Sequence, residues 1–171
     1  MTTRLRKLAL MAHIIASVGW MGADAAFLAL AVAGLTSQDP QLVPAAYLAM
    51  RLTAWYVIIP LSLASLLTGL VQSLGTKWGL FRHYWIVFKL LINVFANVVL
   101  LIHTQPIDRL ARAAAESALA NGALYEARLQ LVVAAGGGLL LLLVAATLAV
   151  YKPRGLTPDG WRQQRARHAL R

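Results

Sequence analysis

Four residues able to do chemistry fall inside one apolar run of the chain, "MAHIIASVGWMGADAAF", which carries His13, Ser17, Trp20 and Asp24. Their spacing is i, i+4, i+7 and i+11. At about 100° per residue a helix brings all four onto one stripe. A second apolar run holds Lys89, Asn93, Asn97 and His103 broadly on one face, and a third holds Arg51, Ser62, Ser65 and Gly69, interrupted by Pro60. An imidazole can ligate a metal or pass a proton. A carboxylate or ammonium inside a bilayer is costly, and by default marks a path, a relay or a ligand counter-ion. Three polar faces that lipid cannot solvate should converge on a common interior.

A helix rises about 1.5 Å per residue, so depth separates the candidates into two layers. His13 and Lys89 each lie a turn or so inside the same membrane face and form an expected inner layer, the leading site pair. Asp24, Arg51 and His103 form an expected outer layer, in which Asp24 and Arg51 make a structural ion pair. Plainer roles stand beside these. Lys89 can snorkel to the interface, His103 can be a solvated interfacial histidine, and Ser17, Asn93 and Asn97 can be polar interior residues that join helices.

The elements that must position these residues follow from composition. Of 171 residues 60% are hydrophobic and 13% charged, which excludes an ordinary soluble domain. Apolar stretches of the roughly 20 residues needed to span a bilayer lie at about 8–30, 48–73, 84–103 and 129–151. The expectation is a single all-α integral membrane domain over 1–171, a four-helix up-and-down bundle, followed by a basic cytoplasmic tail over 152–171. The net charge of +10 is distributed as topology rather than as a nucleic-acid patch. Arg4, Arg6, Lys7, Lys77, Arg82, Lys152, Arg154, Arg162, Arg165, Arg167 and Arg171 fall on one side of the spans, and cytoplasmic segments retain Lys and Arg. Both termini are therefore expected in the cytoplasm of a bacterial inner membrane, with the tail touching anionic lipid.

A cleavable signal peptide would need a shorter apolar run than the first span, which Asp24 also interrupts. With no cysteine, disulfides, thiolate metal sites and cysteine-anchored haem are excluded. Between spans three and four, Ile107, Leu110 and Leu119 predict a short amphipathic helix and Asn121-Gly122 a turn. The proline- and glycine-bearing tail reads as extended or frayed, and Gly136-Gly137-Gly138 as a close helix contact.

The stretch "AHIIASVGWMG" resembles the histidine, apolar residues, then W-x-G pattern of small bacterial membrane proteins of the copper-resistance D-like group and of HemJ-type protoporphyrinogen oxidases. In those relatives a lysine follows an aromatic residue on the third helix, which looks like Trp85 to Lys89 in "YWIVFKLL". Over nearly its whole length, including "SLLTGLVQSLGTKWGLFRHYWIVFKLLI" and "YKPRGLTP", the chain looks most like an actinobacterial family of integral membrane proteins defined by a domain of unknown function. The wider resemblance implies b-type haem, with His13 as axial and metal ligand and Lys89 as the associated cation. It departs after W-x-G, where this chain runs into "ADAAFLALAVAG".

Three functions therefore stand open. One is a haem-binding or redox membrane protein using His13 and Lys89. The second is a small proton-coupled transporter lined by Asp24, Arg51, Lys89 and the asparagines. The third is a noncatalytic structural subunit with a membrane-protein partner or a second copy of itself.

Overall fold

The fold is known from a computed structural model that describes residues 2–75, 80–81, 83–116, 124–152, 155–158, 160–162 and 165. These residues form helices and no extended strand. The chain runs through α1 (Thr3–Thr36), α2 (Leu42–Thr53), a π-helical segment (Ala54–Ile58), α3 (Ile59–Gly75), α4 (Tyr84–Ala115) and α5 (Tyr125–Tyr151). Because α2, the π segment and α3 are continuous, there are four long helical units, each long and apolar enough to cross a membrane.

The units form a ring. α1 packs on α2–α3 and on α5, while α4 packs on the same two from the opposite corner. Directions alternate, since the start of α1 meets the end of α3 and the end of α1 meets the start of α2. We call the end where α1 begins the near end and the other the far end. Outward faces are rich in large apolar residues such as Ile15, Val18, Leu67, Phe95, Leu101 and Leu140. Such a surface fits contact with lipid and would be a large exposed apolar patch in water.

The interior is built from small residues that admit a few large ones. Ala31, Ala46, Ala54, Ala96 and Ala135 are buried and let Trp20, Phe27, Tyr47, Met50 and Leu131 fill the gaps between helices. Gly34 is the tightest of these approaches. A Cβ there would stand 2.8 Å from Tyr47 Cζ and 3.0 Å from its Oη. Gly34→Ala should gain about 1 kcal/mol in helix propensity yet lower net stability, because overpacking a close-packed interior costs about 1–3 kcal/mol. Thermal unfolding in detergent checks this: the midpoint should fall, and a rise would mean that the Tyr47 ring can move aside.

Pro60 explains the π segment. A proline has no N–H to donate four residues back, and its ring collides with that carbonyl, here the carbonyl of Tyr56. Widening the preceding turn removes the conflict, and the N–H of Ile59 accordingly reaches five residues back to Ala54 O. The turn takes in one extra residue, so α2 is rotated by about 100° relative to where a continuous α-helix would place it.

Two sequence expectations change at the ends of the bundle. The third helix does not end near 103: α4 runs on through Pro106 to Ala115, with Ile107, Leu110, Ala111 and Ala114 buried. The amphipathic pattern there is the last part of the same helix, held by packing. Leu119 and the Asn121-Gly122 turn lie outside the described residues, as do Lys77, Arg82, Arg154, Arg167 and Arg171. The tail is not simply frayed, because Leu156 bridges His83 and the Thr157 hydroxyl donates to Phe81 O. That hydroxyl also accepts from the Gly160 N–H at 3.2 Å, capping the turn that follows.

Candidate functional site

The inner stripe of α1 meets α3 through a run of hydrogen bonds. Gln72 Nε2 donates to Ala9 O at 3.0 Å. His13 Nδ1 lies 3.1 Å from both Ser65 O and Thr68 Oγ1, and the Ser17 and Ser65 hydroxyls are 2.8 Å apart. These contacts fix the tautomer of His13. Ser65 O can only accept, and the Thr68 hydroxyl spends its proton on backbone carbonyls of its own helix. Nδ1 therefore carries the hydrogen and donates, leaving Nε2 with its lone pair. Lys89 is within electrostatic range of His13, and Lys152 within range of Lys89, so the structure does bring the expected inner pair into one layer.

In that layer the His13 imidazole is engaged with α3. His13 lies flat against α3, its Cε1 3.2 Å from where a Cβ on Gly69 would be. A cavity between α1, α4 and α5 lies a layer away, and neither His13 nor Lys89 lines it. His13 instead joins α1 to α3. Interhelical hydrogen bonds of this kind contribute about 0.6 kcal/mol on average and at most about 1.7, so His13→Leu should cost about 1 kcal/mol in detergent unfolding. A Soret band in purified protein, lost in the same variant, would contradict the structural assignment.

The outer layer is rearranged. Asp24 and Arg51 do not pair. Arg51 Nε donates to Asp108 Oδ1 at 2.9 Å with its side chain 55% exposed, and Trp55 Nε1 donates to the same oxygen at 3.2 Å. The π segment is the reason: it turns Arg51 off the Ser62–Ser65–Gly69 stripe that faces α1 and toward α4. Being exposed, the pair should contribute under about 1 kcal/mol.

Asp24 is left in the interior. The residue is 9% exposed, and its Oδ2 has no hydrogen-bond partner among the described residues. That oxygen is 3.3 Å from the position of a Cβ on Gly138, so the glycine run of α5 makes room for the carboxyl. Asp24 also lines a cavity of about 200 Å³ between α1, α4 and α5, walled by Trp20, Phe27, Phe95, Leu131 and Leu142 among others. His103 lines the same cavity from α4. Its Nδ1 donates to Val99 O at 2.7 Å, which leaves Nε2 to accept from Gln130 Nε2 at 3.4 Å. A neighbouring opening shares Val99, His103, Val133 and Ala134 with the cavity and continues past Gln130 to Glu126. His103 is thus the one titratable group shared by cavity and opening, and not merely a surface histidine.

The remaining polar candidates are satisfied locally. Asn97 Nδ2 donates to Asn93 O at 2.9 Å and to Asn93 Oδ1 at 3.1 Å, and Ser62 bonds back to Ile59 O. Asp108, Thr68 and Gln72 carry no signal of their own in the sequence, whereas Gly138 belongs to the glycine run expected at a close contact. Pro60 was the available signal for Asp108, because a proline inside a span changes which face the preceding turns present.

Compared with models of known families, with curated proteins and with solved structures, the chain matches none.

Proposed function

We propose that this chain is a small multi-pass carrier in which Asp24 exchanges a proton for a cation inside the bundle. The reading rests on one observation, a buried carboxyl, one oxygen of which has no hydrogen-bond partner among the described residues, on a residue that lines a cavity. A bare carboxylate in apolar surroundings costs several kcal/mol, as order of magnitude, unless it is neutralised. With Arg51 committed to Asp108, neutralisation must come from a proton or from a bound cation. A site that alternates between the two couples their movements.

The reading places the protein in a bacterial inner membrane with both termini cytoplasmic, supported by Arg4, Arg6, Lys7, Lys152, Arg162 and Arg165 at the near end. The opening past His103, Gln130 and Glu126 then faces outward. The His13–Ser65–Thr68 contacts are the frame: they hold α1 on α3 while the α4–α5 side carries the path. This favours the carrier over a haem protein, and gives the inner stripe the locking role that a purely structural subunit would require of all its polar faces.

The test uses liposomes holding the purified protein and a luminal pH dye, with an acidic lumen. Inorganic and organic monocations are added outside in turn. At least one should alkalinise the lumen through wild-type protein and fail to do so through Asp24→Asn. If no cation moves protons, or if the variant moves them equally, the carrier reading is wrong.

A further inference from the structure

The cavity wall narrows the kind of cation. An inorganic ion needs several oxygen ligands, six to eight or so for calcium and a near-ideal octahedron for magnesium. Here one carboxyl and one imidazole face a wall of aromatic and aliphatic side chains, and the glycines of α5 contribute no side chain at all. Such a wall cannot replace a hydration shell. It can bury an apolar body.

Size points the same way. An apolar cavity of about 150 Å³ stays dry and takes up benzene. The cavity here, about 200 Å³, has room for one six-membered ring and a short polar arm. Asp24 lines the space, and its carboxyl has an oxygen with no hydrogen-bond partner among the described residues. Trp20 and Phe27 also line the space, and aromatic faces attract organic cations by about 0.5–2 kcal/mol depending on desolvation.

Resting on the carrier reading for its site but not for its evidence, we propose that the ligand of this cavity is a protonated amine with an apolar body about one ring in size. Its nitrogen donates to the Asp24 carboxylate, and its ring lies between α1, α4 and α5. It enters between α4 and α5, where the opening past Glu126 reaches the cavity. Glu126 attracts the positive charge at the mouth, and the His103–Gln130 contact closes behind it. An anion or a neutral polar solute would leave the carboxylate unneutralised.

Lipophilic amines cross bilayers as free bases, so binding is the clean readout. Isothermal titration of detergent-purified protein with benzylamine, against benzyl alcohol as the uncharged isostere, is the experiment. Benzylamine should bind at least ten-fold more tightly than benzyl alcohol, and Asp24→Asn should remove that difference while keeping the helical circular dichroism. Ala134→Phe, which fills the cavity from α5, should abolish binding of both.

Equal affinity for amine and alcohol in wild type, binding that survives Ala134→Phe, or no binding at millimolar concentrations would each overturn the proposal. The outcomes also separate the two readings. Amine binding without Asp24-dependent proton movement keeps the ligand and removes the carrier. Proton movement driven by other cations, with no amine binding, keeps the carrier and removes the ligand.

Discussion

Asp24→Asn is expected to abolish cation-driven proton movement while raising the unfolding midpoint of the protein in detergent. The two effects share one cause. In the wild type a carboxyl sits 9% exposed with Oδ2 unpartnered, and whichever charge state it takes, water has been lost without full compensation. An unsatisfied buried polar group costs about 1–3 kcal/mol, more when charged. Asparagine keeps the shape beside Gly138 and removes the charge, so about 1 kcal/mol of that cost should be recovered. It cannot bind or release a proton, so exchange should fall to the rate of protein-free liposomes. Asp24→Leu should be at least as stable and equally inactive. A site carried by strain in this way trades stability against function, and two inactive variants that are less stable than wild type would instead mean that Asp24 holds the fold together.

Removing Val57 should damage the fold more than any single side-chain change. Val57 is exposed, so its side chain contributes little, and the effect is one of register. Taking one residue out of Ala54–Ile58 closes the π turn toward an α-turn and rotates α2 by about 100° against α3. Tyr47 and Met50, 1% and 0% exposed, would leave the core, and each large side chain lost from an interior costs about 2–5 kcal/mol. Pro60 would again confront the carbonyl four residues back, for about 3 kcal/mol. Arg51 would swing away from Asp108. The expected result in detergent is a large fall in the unfolding midpoint or loss of a monodisperse peak in gel filtration. A deletion variant that unfolds with the wild type would show that the π segment does not set the orientation of α2. Val57→Ala, by contrast, should be nearly silent.

The same segment shows what could and could not be read from the sequence. Four helical units were legible because lipid-length apolar runs leave few alternatives. The meeting of His13 and Ser17 with the Ser65 stripe was legible because α1 and α3 are both regular there, so counting residues gives the facing side chains. Counting fails across Pro60. Arg51 is on the stripe by arithmetic and off it in the structure, and the expected partner of Asp24 went with it. The end of α4 was misplaced for a different reason: hydropathy falls after His103, but Ile107, Leu110 and Ala114 pack on the bundle, and packing rather than hydropathy sets where that helix stops. Nothing in Gly136-Gly137-Gly138 says that a carboxyl faces the last of them. A glycine records that something comes close, and only the fold says what.

If Asp24 is a water-shielded carboxyl reached through the apolar cavity, covalent modification shows it directly. A hydrophobic carbodiimide such as dicyclohexylcarbodiimide reacts with carboxyl groups shielded from water, and peptide mass mapping finds the modified residue. Modification should concentrate on Asp24, disappear in Asp24→Asn, and be slowed by Ala134→Phe, with Asp108 spared by its bond to Arg51. Labelling spread over Asp39, Asp108 and Glu126 with Asp24 untouched would contradict the account.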